Sequence, residues 1–162
     1  MDIQSFNSVD IVHDIEQVPW PLSSGCYDLA YSSHCLEHLH VGKVVPALME
    51  FKRILKPAGM LELHVPDLAR LVKFNDWNLA APCIYGDQRG QYDYHRCGFW
   101  KKGFTSLLRS VGFVNILTAQ TSYDKTWPEL TVKCFKPPGL AQPWAMRSNV
   151  LTFYHKSQEV QK

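Results

Sequence analysis

No apolar run in this chain is long enough to span a bilayer, so a transmembrane helix is not expected. Dense runs of lysine and arginine are missing too; Lys52-Arg53 and Lys101-Lys102 are isolated pairs. The net charge is only +2, from 17 Lys+Arg against 15 Asp+Glu, which is too little to argue for a nucleic acid or an anionic membrane as partner. No two of the five cysteines form a Cys-x-x-Cys pair, and their number is odd. The N-terminal Met-Asp-Ile-Gln-Ser-Phe lacks a basic region followed by an apolar stretch. Reduced thiols in a cytoplasmic protein follow as the expectation. There is no internal repeat and no low-complexity tract. What remains is an ordinary globular composition, 162 residues with 46% hydrophobic and 20% charged, suited to one core.

The local patterns predict an order of elements. Val9 to Asp14 reads as a short strand ending in a carboxylate, and two prolines and a glycine make Val18 to Gly25 a loop. Tyr27 to Ser32 is a second strand. Val44, Leu48, Phe51 and Leu55 recur at helical spacing after Gly42, with Pro46 tolerable only in a first turn. Lys56-Pro-Ala-Gly59 ends that helix. Leu61, Leu63 and Val65 alternate along a strand. Asp67 is placed to cap a helix from Leu68 to Phe74. Ala81 to Gly98 is the longest irregular stretch, and its tyrosines argue against disorder. Lys102 to Val111 is amphipathic and closes on Gly112 as a C′ residue. Val114 to Thr118 and Leu130 to Phe135 form an antiparallel pair. The predicted domain is 1–139; the tail, 140–162, has no predicted place. Alternating strands and helices imply an α/β sheet with parallel strands, mixed at its end.

Chemistry concentrates in Cys26-Tyr-Asp-Leu-Ala-Tyr-Ser-Ser-His-Cys-Leu-Glu-His-Leu-His40. A strand runs into Ser32, Ser33 and His34, and a helical start follows. Ligands of open α/β sheets bind outside such strand ends. Set beside Val9-Asp-Ile-Val-His-Asp-Ile15, Val18-Pro-Trp20, Phe51-Lys-Arg-Ile-Leu-Lys-Pro-Ala-Gly59, Val65-Pro-Asp67 and Ser106-Leu-Leu-Arg-Ser-Val-Gly-Phe113, this stretch resembles the class I S-adenosylmethionine-dependent methyltransferases, the type 11 group in particular. The resemblance runs from the start of the chain to Phe135. It implies a Rossmann-like sheet, S-adenosylmethionine as cofactor, and methyl transfer to an O, N or C acceptor of small-molecule or saccharide type. It also implies roles. Asp14 matches the carboxylate that accepts from the adenine amino group, and Ile15 the neighbouring N–H. Asp2 matches the acidic residue that holds the ribose hydroxyls. Ser33 and His34 match the turn along the methionine moiety. His34, then His95, are the candidate bases for the acceptor.

The family's first strand and its Gly-rich loop have no counterpart, and no Gly-x-Gly-x-Gly occurs anywhere. The expectation is therefore an N-terminally truncated domain. Its strand Tyr27–Ser32 becomes an edge, to be covered by the N-terminal segment or by a second copy in a homodimer. A catalytically inactive remnant or interaction module is the competing reading. A third is a zinc hydrolase, since His34-Cys-Leu-Glu37-His38 matches the His-x-x-Glu-His of inverted zinc peptidases. That motif needs a long helix, which the preceding strand and Gly42 deny, so it ranks last and no metal site is expected. Asp67 and His64 are assigned structural roles, and Cys26 and Cys35 the role of small buried hydrophobes.

Overall fold

The structure, a computed structural model, describes residues 1–5, 7–123, 127–139 and 150–154. In chain order the elements are β1 (Tyr27–Ser33), a 3-10 turn (Leu36–His38), α1 (Val41–Ile54), β2 (Leu55–Pro66), α2 (Leu68–Leu71) and α3 (Trp77–Tyr85). After them come α4 (Lys101–Val111), β3 (Val114–Tyr123), β4 (Trp127–Phe135) and β5 (Val150–Tyr154). The strands lie in the order β3-β4-β2-β1-β5. β1 runs parallel to β2 and to β5, whereas β4 is antiparallel to β2 and to β3. The mixed α/β sheet with an antiparallel C-terminal pair is thus present. No helix among the described residues is long and apolar enough to cross a membrane.

Alternation along β2 and β4 divides the sheet's two faces. Leu61, Leu63 and Val65 of β2, with Leu130, Val132 and Cys134 of β4, are fully buried. They share one cluster with Val44, Leu48 and Phe51 of α1 and with Phe104 and Leu108 of α4. Glu62, His64, Glu129 and Thr131 occupy the intervening positions and so face the other way. Gly112 ends α4 in the left-handed region at φ 90°, as its C′ position requires.

The N-terminal segment is stapled to α1. The Trp20 ring stands edge-on to Phe51 at 4.8 Å, and its indole N–H donates to the Ile15 carbonyl at 3.0 Å. Glu50 accepts from the Trp20 backbone N–H at 2.7 Å. Arg53 pairs with Glu50 and also donates to the Leu22 and Trp20 carbonyls. These bonds fix the path of residues 15–22 and therefore the position of Ile15.

Several expectations change. Val9 to Asp14 forms no strand: Val12 makes an isolated parallel bridge with Asp2, because no further strand lies beside it to carry a ladder. Pro46 is not in the first turn of α1, which starts at Val41, but in its second, where it removes one backbone donor from the helix. Asp67 occupies the N-cap position of α2 but makes no capping bond; the carboxylate accepts instead from Gln120 Nε2 at 2.8 Å and is fully buried. The irregular stretch predicted from Ala81 begins after Tyr85, since α3 is nucleated by Asp76, whose side chain accepts from the Asn78 N–H. Cys26 and Cys35 are only partly buried; Cys134 is the buried thiol, and none of the five is in a disulfide. The edge of β1 is covered, by β5 rather than by the N-terminal segment or a second copy. Met1 adds to that cover from outside, its amino group donating to the Thr152 carbonyl at 3.2 Å.

Candidate functional site

Two neighbouring features occupy the carboxyl end of β1. The first is an open cleft of about 660 Å³, solvent at its mouth included. Asp2, Asp14, Ile15, Cys35, His38 and Arg96 are among its lining residues. The Asp2–Val12 bridge brings the two aspartates together: the Asp2 N–H donates to the Ile11 carbonyl, and the His13 N–H to the Asp2 carbonyl. Each carboxylate also closes its own tight turn, Asp2 Oδ1 accepting from the Gln4 N–H and Asp14 Oδ1 from the Glu16 N–H, both at 2.9 Å. Glu16 fixes the far wall by accepting from His40 N–H at 2.6 Å and from its Nδ1 at 3.0 Å. Burial raises the Glu16 carboxyl, but the His40 bonds and the charge of Arg96 outweigh it and hold the group below the usual range.

The second feature is a hydrogen-bonded line of alternating charge. His34 Nδ1–H donates to Glu37 at 3.2 Å and Nε2–H to Glu129 at 3.0 Å. His64 Nδ1–H donates to the other oxygen of Glu129 at 3.1 Å, and Nε2–H to Glu62 at 3.0 Å. Lys133 closes the line on Glu62 at 3.2 Å. Thr121 Oγ donates to Glu129 at 2.8 Å, and the Tyr31 ring lies 5.2 Å from that of His64. Carboxylate oxygens only accept, so each imidazole must carry both protons. Burial alone would push His34 down, but bonds to Glu129 and Glu37 raise it to about 9. His64 rises for the same reasons, through Glu129 and Glu62. Glu129 is pushed up by burial, yet the two rings and Thr121 bring it far below the usual carboxylate range.

The residues named from sequence separate accordingly. Asp2, Asp14 and Ile15 share the cleft. Ser33 is buried at the end of β1 and is not among the cleft's lining residues. His34 belongs to the charged line, where both ring nitrogens already donate, so as it stands it has no lone pair with which to take a proton. His95 lies beside Glu37 and His38, its ring 4.8 Å from that of His38. The zinc-peptidase arrangement is not formed: Leu36–His38 is a three-residue turn, and His34 precedes it with its ring turned to Glu37 and Glu129. Sequence reasoning missed Glu129, Glu62 and Glu16, whereas Tyr92 and Arg96, which the long loop offered as a substrate wall, do line the cleft. The polar residues interrupting β2 and β4 at alternate positions were the available signal for the first two.

The fold is of the class I methyltransferase type, in keeping with the resemblance drawn from the sequence. Residues 3–63 match the model of the methyltransferase domain family. No curated protein matches the sequence. Among solved structures, the chain is similar to the Burkholderia thailandensis 1,6-didemethyltoxoflavin-N1-methyltransferase, solved with 1,6-didemethyltoxoflavin and S-adenosylhomocysteine. The identity is 17% and the TM-score 0.57, covering 78% of this chain and 50% of that one. It is also similar to a Haloferax volcanii putative methyltransferase in complex with the Trm112 activator, at 14% identity and TM-score 0.56, covering 78% of this chain and 61% of that one. The [4+2]-cyclase SpnF shares the fold as well, at 14% identity and TM-score 0.50, covering 80% and 56%. The chain therefore spans about half to three fifths of the length of these proteins.

Proposed function

We propose that the cleft binds S-adenosylmethionine and that the domain transfers its methyl group to a small-molecule acceptor. The observation that supports this reading is the convergence of Asp2, Asp14 and Ile15 on one cleft at the carboxyl end of β1. These are three of the positions that the family resemblance assigns to the cofactor. The similar Burkholderia enzyme was solved with S-adenosylhomocysteine, which points to the same ligand chemistry.

When bound, S-adenosylmethionine supplies an electrophilic methyl on a sulfonium. The chain's own residues hold and orient. Asp14 keeps one carboxylate oxygen beyond its turn bond to accept from an exocyclic amino group. The Ile15 N–H stands beside it as a donor, and Asp2 offers an acceptor for a vicinal diol. With Cys35 and Leu39 as apolar walls, these groups fix a ligand at a few polar points, as small-molecule sites do. His34 contributes its field: an imidazolium near the strand end favours electron-rich groups there.

One observation favours a second reading, a fold kept without its cofactor. β5 lies parallel to β1 at the place where the resemblance puts the missing strands, and no Gly-x-Gly-x-Gly occurs in the sequence. Calorimetric titration of the full chain with S-adenosylmethionine and S-adenosylhomocysteine separates the two. Methyl transfer requires saturable one-to-one heat, weakened about tenfold in Asp14→Ala, the loss of about 1.4 kcal/mol. Absence of heat and of any thermal shift at millimolar ligand leaves the cofactor-free reading standing.

A further inference from the structure

Beside the cleft, one ligand atom from each of Glu37, His38 and His95 lies within 4.8 Å of the other two. Glu37 is 1% exposed, and its Oε2 is buried with no hydrogen-bond partner. A carboxylate oxygen sealed from water without a donor is costly, and native proteins leave few such atoms. His34 holds the other oxygen, Oε1, and so directs the orphan away from itself.

The two imidazoles are prepared for the same task. His38 Nδ1 lies 3.1 Å from the Tyr94 carbonyl, and His95 Nδ1 lies 2.8 Å from the Cys83 carbonyl. A carbonyl can only accept, so Nδ1 carries the proton on both rings. In a neutral ring that leaves the lone pair on Nε2. Histidines that ligate metals are characteristically held this way, by a backbone or carboxylate acceptor on the second nitrogen. The two histidines come from segments 57 positions apart that are tied together at the site. The Arg96 and Cys97 N–H groups both donate to the Glu37 carbonyl, at 2.7 and 3.2 Å. A chance meeting of two histidines on mobile loops would show neither the tautomer locks nor that backbone clamp.

We propose that Glu37, His38 and His95 form a binding site for a divalent transition-metal ion of the zinc type. Two imidazoles and one carboxylate are a donor set that such ions take, with remaining positions left to water or another ligand. Magnesium and calcium, which take oxygen, are disfavoured. Ligand bonds of about 2.0–2.2 Å require the donors to close in by roughly an ångström, which side-chain rotation supplies. The ion gives Glu37 Oε2 its missing partner. Of the three, His38 also lines the cleft, whereas Glu37 and His95 line a smaller pocket. The proposal stands on these three side chains and holds whether or not the cleft takes S-adenosylmethionine.

The test is titration of the full chain, expressed without a histidine tag and stripped with chelator. Zn²⁺ is followed by calorimetry and Co²⁺ by its visible absorption. One equivalent of Zn²⁺, competing with Co²⁺ for the same site, is expected, together with a raised thermal midpoint. His38→Ala and His95→Ala should each weaken binding about 100-fold, whereas His13→Ala leaves it unchanged. Circular dichroism confirms the fold of each variant. Because Glu37 is buried, Glu37→Gln serves as a third variant only if its spectrum is native. No stoichiometric binding, binding unaltered in both His38→Ala and His95→Ala, or binding lost in His13→Ala overturns the proposal.

Discussion

Glu129 stands between two imidazolium rings and accepts from both, with Thr121 as a third donor. Replacing it by Gln removes the charge that keeps His34 and His64 protonated while leaving both rings in place. Breaking a buried charge pair on one side costs about 3 kcal/mol or more, so Glu129→Gln should lower the unfolding free energy obtained from urea titration by that amount. The same residues set a pH dependence. Both histidines have folded-state values raised above the unfolded value of about 6.5. Their contribution is therefore complete below that pH and lost as pH rises through the folded value, about 9 for His34. Urea midpoints should fall between pH 6.5 and 9.5, and Glu129→Gln should flatten the fall; a flat wild-type profile would count against the charged line. At this scale the sequence exposed only part of the site. Asp2, Asp14 and Ile15 could be named because the resemblance carries them. Glu129 could not, since it is 95 residues from His34 and no local pattern links a strand carboxylate to a distant ring.

Among the elements, β2 and α4 were legible because their burial follows from periodicity within the segment itself. Leu61, Leu63 and Val65 alternate, and Phe104 and Leu108 share a helical face. The failures are the elements whose existence depends on a neighbour or on an inconspicuous cap. Val9 to Asp14 has strand-like residues and no strand beside it. α3 contains Pro82, which reads as a breaker, yet Asp76 caps the turn that starts it. β5 pairs with a segment far upstream, and short apolar runs announce no partner. That pairing is testable. A chain ending at residue 139 exposes the β1 edge from Leu29 to Ser33. Light scattering should show this shortened chain self-associating where the full chain does not, since a bare edge recruits another strand. A shortened chain as monodisperse as the full one would mean that β5 contributes nothing to solubility.

Over the whole molecule, one apolar cluster runs from Met1 and Ile15 through α1 and the sheet to Cys134. A single core predicts a single transition. Far-ultraviolet dichroism and the fluorescence of a variant that keeps buried Trp20 as its sole tryptophan should give the same urea midpoint. Separate midpoints would divide the N-terminal segment from the sheet. The similarity to methyltransferases and to a [4+2]-cyclase shows how far such a fold alone constrains chemistry. What this chain binds must be read from the cleft and the charged line beside it.

The pairing of β5 with β1 also has a cost in time. Leu29 is in register with Val150, about 120 residues later in the chain. A ribosome adding about 5–20 residues per second needs roughly 6–24 s to cover that distance. Once β2 has been made, the nascent β1 can pair with it but presents its outer edge without its final neighbour until Val150 is added. The place that β5 finally takes is therefore open to a chaperone or a neighbouring nascent strand until synthesis reaches Val150.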